Sequence, residues 1–206
     1  MNRSRFENGS DGVFAIAITL LVLGLAVPVI PPHGGEQTLI ARLVVLWPNF
    51  LAYALSFAVI GIMWNNHQML FRTVEKLDRT TWLINLILLG ITAFIPFATA
   101  VLGEYSTLRP AAVLYGLTLT AASITYNGLL HYLITHKMFR PFVTQAALRD
   151  TVFHYRVGLS VYVAATVIAF IIPVVSFALY WAITLYYFFP RGVDADLPEP
   201  GVSGSP

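Results

Sequence analysis

The sequence predicts an all-α membrane protein with six transmembrane helices. Of its 206 residues, 57% are hydrophobic and only 11% are charged, which gives a mean hydropathy of +0.73. So few polar side chains cannot cover the surface of a water-soluble globule. The hydrophobic residues also fall into separate stretches that are long enough to cross a bilayer core, which needs roughly 20 helical residues. Cysteine is absent, which excludes disulfides, thiolate nucleophiles and cysteine-based metal sites.

Four stretches predict single spans. They cover residues 11–29, 40–64, 82–103 and 111–134. The first stretch lacks the small-residue cleavage site of a signal peptide and is followed by further hydrophobic segments, so it is interpreted as a retained helix.

The last hydrophobic stretch, 157–189, is 33 residues long and carries no charge. As one helix it would measure about 50 Å, which is too long for an ordinary crossing. Pro173 lies at its midpoint and cannot donate a backbone hydrogen bond, so the helix is expected to break there into two short spans. One long tilted helix, and five spans in total, is the alternative.

The distribution of basic residues predicts cytoplasmic N- and C-termini. With six spans, ten of the twelve Lys and Arg residues are cytoplasmic, and only Arg42 and Arg109 face outward. Five spans would move only Arg191, so charge does not test the number of spans. The net charge is only +2, and the Lys and Arg residues are scattered along the chain, which argues against a nucleic-acid partner. Residues 1–190 are predicted to form one transmembrane unit, and the Pro-, Gly- and acid-rich residues 191–206 a disordered cytoplasmic tail.

The first predicted helix has one face of aliphatic side chains. At 100° per residue, six positions lie within about 60° of one line. These positions are Gly12, Ile16, Thr19, Leu20, Leu23 and Val27. Such a stripe most often meets lipid or another helix. Repeated around a symmetry axis, it would instead form a hydrophobic constriction that gates or filters ions by dewetting.

The stretch "GSDGVFAIAITLLVLGLAVP" resembles the first-helix signature of the transmembrane protein 175 family, Arg-x-x-x-Phe-Ser-Asp. Arg5, Ser10 and Asp11 match it, whereas Gly9 stands where the family has Phe. "LSFAVIGIMWNNHQMLF" (55–71) resembles the second helix of the family, and "NLILLGITAFIPFATAVL" (85–102) the third. Eukaryotic members are endosomal and lysosomal potassium channels, and prokaryotic members are single six-helix repeats.

This resemblance implies a homotetrameric potassium channel in the plasma membrane of a prokaryote, with no TVGYG filter and no cofactor. Its partners are then the lipid bilayer, further copies of the chain and the permeant potassium ion. The aliphatic constriction of the family falls on Ile16, Leu20 and Leu23, and its hydroxyl-bearing position on Thr19.

Two roles for Asp11 remain open. In the first, Ser10 or Gly9 caps the first helix, and Asp11 lies in its first turn, where unpaired N–H groups favour a carboxylate. In the second, which the resemblance supports, polar side chains near one membrane surface form an interhelical network that braces the pore helix. Its members would be Ser10, Asp11, Trp64, His67 and Asn85, with Arg5 either closing the network or setting topology.

The sequence shows no catalytic constellation and no metal-ligand spacing, so an enzyme is not expected. A secondary transporter usually has polar, broken helices near the membrane midplane, and none is evident. A secondary transporter and a non-conducting membrane scaffold remain the alternatives to a channel.

Overall fold

The structure is a computed structural model that describes residues 3–188. It is all-α, as predicted, and has seven α-helices within the described residues. They are α1 (Arg3–Leu20), α2 (Glu36–Val45), α3 (Trp47–Thr73), α4 (Arg79–Glu104), α5 (Arg109–Thr135), α6 (Gln145–Ala169) and α7 (Pro173–Tyr187). A 3₁₀ turn, Leu21–Gly24, extends α1. The predicted tail, 191–206, lies outside the described residues.

Within residues 3–188, four helices are long and apolar enough to cross a membrane: α1 with its 3₁₀ turn, α3, α4 and α6. Helix α5 is long enough at 27 residues, but Thr, Ser, Asn and Tyr side chains lower its hydropathy. Helix α7 is apolar but has only 15 residues. The fifth and sixth spans therefore remain predictions.

Helix α1 begins at Arg3, so the prediction of an N-cap at Ser10 or Gly9 is wrong. Ser10 is buried inside the helix, and its hydroxyl donates to the Phe6 carbonyl oxygen at 3.0 Å. A change in hydropathy marks where charged residues stop. A helix, in contrast, starts where the backbone first forms helical hydrogen bonds, and that point can lie among charged residues. Helix α6 shows the same difference: it begins at Gln145 behind the Thr144 cap, well before the uncharged stretch at 157.

The second predicted span, 40–64, is divided in the structure. Its first residues belong to α2, a short helix that buries no side chain. Helix α3 then starts at Trp47, with Pro48 in its first turn, where the missing N–H costs nothing, and it continues to Thr73. The interruption expected at Pro173 is confirmed, because α6 ends at Ala169 and α7 begins at the proline.

The helices form one bundle in which α1 packs against α3 and α4. Helix α5 packs between α4 and α6, and α7 contacts α3, α5 and α6. The main core contains Phe14 from α1, Leu55 from α3, Ile95 from α4 and the two rings Tyr115 and Tyr180.

A buried hydroxyl chain holds three helices of the core together. Thr99 on α4 donates to Ser56 on α3 at 2.7 Å, and Ser56 lies 2.9 Å from the Tyr115 hydroxyl on α5. Nearby, a Cβ at Gly103 would lie only 2.9 Å from the Asn49 Cα, so a glycine permits the close approach of α3 and α4.

The α3–α4 and α5–α6 loops are joined at one end of the bundle. The Glu75 amide donates to the Met138 carbonyl, and the Arg140 amide donates to the Thr73 carbonyl, both at 2.8 Å. Asp78 caps α4: its carboxylate accepts from the Thr81 amide at 2.8 Å. It also accepts from the hydroxyls of Thr81, at 2.7 Å, and Tyr132, at 2.6 Å.

Replacing Asp78 with alanine is expected to lower the free energy of unfolding by about 1 kcal/mol, the usual cost of a lost helix cap. This corresponds to about 2–4 °C in the melting temperature of the purified protein. Glu75→Ala is the matched control, since the Glu75 side chain is exposed and forms no hydrogen bond or ion pair with a described residue. Equal melting temperatures for the two variants would contradict the assigned role of the cap.

The stabilisation that the Asp78 cap provides depends on pH. Desolvation raises the pKa of the Asp78 carboxyl, but the hydrogen bonds from Tyr132 and Thr81 outweigh it and hold the pKa below its ordinary value of 3.8. The stabilisation is therefore complete above pH 3.8 and is lost as the pH falls through the lowered pKa. The difference in melting temperature between wild type and Asp78→Ala should be constant from pH 5 to 8 and shrink in stronger acid.

Candidate pore helix

Helix α1 has one packed face and one open face within the chain. Phe14 and Ala17 on the packed face are 0% and 1% exposed. The predicted stripe lies on the opposite face, where Ile16 is 60%, Leu20 42% and Leu23 76% exposed. Thr19 is exposed on the same side, and its hydroxyl donates to the Ile16 carbonyl at 2.9 Å. The stripe is therefore free to meet lipid, another copy of the chain or an aqueous path.

The 3₁₀ turn aligns the upper part of this stripe. In an α-helix, Leu23 would lie about 60° away from Leu20 around the axis. Because a 3₁₀ segment turns about 120° per residue, the two side chains are nearly eclipsed. From Ile16 to Leu23 the stripe rises about 12 Å.

On another side of α1, Asp11 joins the helix to α3. Its Oδ1 accepts from the Trp64 indole nitrogen at 2.7 Å and from the Gln68 amide nitrogen at 3.1 Å. Hydrogen bonds to an ionised acceptor are stronger than neutral ones. The carboxylate thus lies in the middle of α1 with two partners rather than at a solvated helix start.

A second set of contacts joins α1 to α3 and α4. The Asn85 side-chain amide donates to the Ser10 Oγ at 3.0 Å. The Asn85 Oδ1 lies 2.8 Å from the His67 Nε2, and since this oxygen can only accept, Nε2 carries the hydrogen. All three residues are buried, at 1% to 3% exposure. Unpaired polar groups at such depth would be costly, so this set fixes the three helices relative to one another.

Aromatic rings enclose the His67 side chain. Its ring centroid lies 4.6 Å from that of Phe71 and 5.2 Å from that of Phe14, and Phe6 stacks further out at 6.4 Å. Two of these rings come from α1. His67 therefore serves both as a hydrogen-bond donor to α4 and as an apolar contact for the first helix.

Arg5 stands outside both sets of contacts. It is exposed and has no hydrogen bond or ion pair with any described residue. Arg3 instead ties α1 to the end of α3, donating to the carbonyls of Phe71 and Val74, the latter at 2.7 Å. It also pairs with Glu7 at 2.8 Å.

Two of these contacts were not predicted. Gln68 follows Trp64 by four residues and so lies on the same helical face, a signal that was available in the sequence. Arg3 could not be distinguished from Arg5 by spacing, because the choice depends on where the α3–α4 loop passes. Within the described residues, no group of three His, Asp or Glu side chains is placed to hold a metal ion.

Comparison with known proteins relates this arrangement to a group of channels. A family model described as "Endosomal/lysosomal potassium channel TMEM175" matches residues 5–96. A potassium channel of Streptomyces collinus is 38% identical over 195 residues, which cover 92% of this chain and 93% of that protein. The human endosomal/lysosomal proton channel TMEM175 is 37% identical over 103 residues, 48% of this chain and 20% of that protein.

A solved structure is also similar. It is the crystal structure of a lysosomal potassium-selective channel TMEM175 homolog from Chamaesiphon minutus, at 33% identity and a TM-score of 0.77. The match covers 90% of this chain and 96% of that one.

Replacing Asp11 with alanine is expected to lower stability by about 1.5–3 kcal/mol, because it removes the charged acceptor of two hydrogen bonds. The melting temperature in detergent measures this, with the exposed carboxylate variant Glu104→Ala as the control. Trp64→Phe keeps an aromatic ring but removes the N–H donor. The double variant should therefore be less destabilised than the sum of the two single variants, by about 1 kcal/mol. Strict additivity would contradict a direct contact.

Proposed function

The chain belongs to the TMEM175 family, whose members are ion channels and not enzymes, and we propose that it forms a potassium-selective channel. The chain is an integral membrane protein with apolar helices of spanning length. The relatives from Streptomyces collinus and Chamaesiphon minutus that match along nearly the whole chain are named as potassium channels. Potassium is then the permeant ion, and no cofactor is expected.

The proposal rests on the difference between the two faces of α1. One face is held by the core and by the Asp11 and Ser10 contacts, while the face with Ile16, Leu20 and Leu23 is left uncovered. A helix that only anchored the chain in lipid would not need two sets of polar contacts with neighbouring helices, one of them buried, to define its rotation. Firm orientation of an uncovered stripe is what a pore-lining helix requires.

One such helix cannot enclose a path, so the pore requires several copies around an axis. We propose a homotetramer in which the four α1 stripes face one another. Ile16, Leu20 and Leu23 would then form successive aliphatic rings over about 12 Å. A ring of this kind closes the pore to ions when it dewets. Thr19 supplies the polar group between the rings.

Selectivity in this proposal comes from the cost of removing water rather than from carbonyl oxygens. The sequence has no TVGYG segment. Potassium holds its hydration shell less tightly than sodium, so a narrow apolar ring that strips part of the shell penalises sodium more. The rings must then be held at a fixed diameter, which is the role proposed for the two polar contact sets.

In this proposal the residues of the two contact sets position the pore helix and do not touch the ion. Asp11 and Trp64 would set the rotation of α1 against α3, while Ser10, His67 and Asn85 would set its distance from α4. Arg5 has no partner among the described residues of its own chain, and its charge near the membrane surface favours a cytoplasmic N-terminus.

The proposed topology has six spans, formed by α1 and α3 through α7, with α2 outside the hydrocarbon core. Both termini are then cytoplasmic, and the membrane is the plasma membrane of a prokaryote. The short helix α7 could cross a bilayer only with the help of its flanking residues, since about 17 or more residues are usual.

The alternatives are a secondary transporter and a non-conducting scaffold. The name of the human relative adds protons as a candidate ion.

The reversal potential distinguishes a potassium channel from these alternatives. With purified protein in planar bilayers, potassium on one side and sodium on the other, the reversal potential should move toward the potassium equilibrium value. A reversal that follows an imposed pH gradient would favour protons. Absence of current from folded, assembled protein would overturn the channel.

Replacing Ile16 with asparagine should hold the constriction wet and bring the potassium-to-sodium permeability ratio several-fold closer to one. Ile87→Asn on α4 is the matched control. It makes the same chemical change away from the stripe, at a residue that is 58% exposed, compared with 60% for Ile16. The bilayer measurement above gives both ratios. An unchanged ratio for Ile16→Asn, or an equal change for the control, would contradict a filter at α1.

A further inference from the structure

We propose that the α3–α4 loop (74–78) and the α5–α6 loop (136–144) together form a binding site for the headgroup of an anionic phospholipid. The site lies at the end of the bundle where α1 begins, and it is separate from the aliphatic stripe. It would bind the phosphate with Lys and Arg side chains and the lipid chains with an adjoining aromatic side chain.

The paired loops bring together basic residues that are far apart in sequence. The two 2.8 Å backbone hydrogen bonds, from Glu75 to Met138 and from Arg140 to Thr73, hold the loops edge to edge. Val74 and Phe139 form an antiparallel bridge between them. Five cationic residues flank this junction: Arg72, Lys76, Arg79, Lys137 and Arg140.

None of these five cationic side chains is neutralised within the described chain. All five are exposed, and none forms an ion pair or a side-chain hydrogen bond with a described residue. The carboxylates beside them are Glu75, which is exposed, and Asp78, which is occupied by Tyr132 and Thr81. The patch therefore keeps a net positive charge that an anionic ligand can neutralise.

Lys137 occupies a backbone position that favours glycine. Its φ is +52°, in the left-handed region. It follows the end of α5, where the Lys137 amide donates to Ile134 and the Met138 amide donates to Leu133, the hydrogen bonds of a Schellman motif. A lysine here is less stable than a glycine would be. The ammonium group of Lys137 makes no hydrogen bond or ion pair with a described residue that would offset this cost, so an external anion would be its partner in the proposed site.

The aromatic content of the α5–α6 loop selects a lipid over a soluble anion. Phe142 is 53% exposed two residues from Arg140. An exposed phenylalanine beside cations matches the boundary between headgroups and acyl chains. On the proposed topology this surface faces the cytoplasmic leaflet, where anionic lipids attract basic segments.

Arg3 connects this site to α1. Its guanidinium donates to the carbonyls of Phe71 and Val74, and Val74 forms the bridge to the α5–α6 loop. Occupation of the site by lipid would therefore stabilise the position of α1 through Arg3. This coupling rests on the proposed channel function, whereas lipid binding itself does not.

Binding is measured by the melting temperature of the purified full chain in neutral detergent, titrated with phosphatidylglycerol. Phosphatidylglycerol should raise the melting temperature, because a ligand that binds the folded state stabilises it. Phosphatidylcholine and inorganic phosphate should not. An equal shift with phosphatidylcholine, or a shift with inorganic phosphate alone, would overturn the anionic-lipid site.

Variants locate the site. Lys137→Gly removes both the unfavourable backbone conformation and the positive charge. Without lipid, its melting temperature should be no lower than that of wild type. The phosphatidylglycerol concentration that gives half of the shift in melting temperature should be about fivefold higher than for wild type. Adding Lys76→Gln and Arg140→Gln should abolish the shift. Arg42→Gln with Arg109→Gln, at the other end of the bundle, is the control and should behave as wild type. Loss of the shift in the control, or its retention in the triple variant, would overturn the assignment.

Coupling is measured by potassium flux in vesicles of phosphatidylcholine with and without phosphatidylglycerol. Wild type should show a several-fold difference between the two compositions. Arg3→Gln should keep the shift in melting temperature but lose the difference in flux. Equal dependence in Arg3→Gln would overturn the coupling. Absence of wild-type flux in both compositions would overturn the proposed function and leave the thermal test of the lipid site intact.

Discussion

The fold depends on holding α1 along one side while its opposite side stays uncovered. Hydrophobic burial cannot achieve this in a membrane, because lipid chains are as apolar as leucine. Both faces of α1 are apolar, with Phe14 and Ala17 on one and Ile16 and Leu20 on the other. Rotation of the helix by half a turn would cost little in hydrophobic terms. Close packing of Phe14 and the polar contacts of Ser10 and Asp11 make one rotation preferred.

These polar contacts lie in the first nine residues of the described α1. Arg3 reaches the end of α3, Ser10 reaches α4 through Asn85, and Asp11 reaches Trp64 and Gln68. The same end of the bundle has the joined α3–α4 and α5–α6 loops. The ends of five helices, α1, α3, α4, α5 and α6, are thus connected by hydrogen bonds at one end of the bundle. The stripe begins beyond this anchored part.

In the proposed channel, the residues that position α1 would be separate from the residues that line the ion path. His67 and Asn85 bond to each other, Asn85 bonds to the Ser10 hydroxyl, and all three residues are buried among the helices, away from the exposed stripe. The stripe, in contrast, offers no strong ligand, which suits a path through which ions must pass without being held. If the lipid site acts through Arg3, it would adjust the anchored end and leave the stripe unchanged.

Much of this molecule was predictable from its sequence, and the limits have physical reasons. Composition and the spacing of hydrophobic stretches determined an all-α membrane protein, and helical periodicity selected Ile16, Leu20 and Leu23 as one face, because both depend only on local chain geometry. The start of α1 was predicted wrongly, because Ser10 and Asp11 look like a cap until α3 and α4 supply their partners. The 3₁₀ turn, Gln68 and the choice of Arg3 over Arg5 were decided by tertiary structure alone, since each depends on the distance and rotation between helices that are far apart in sequence.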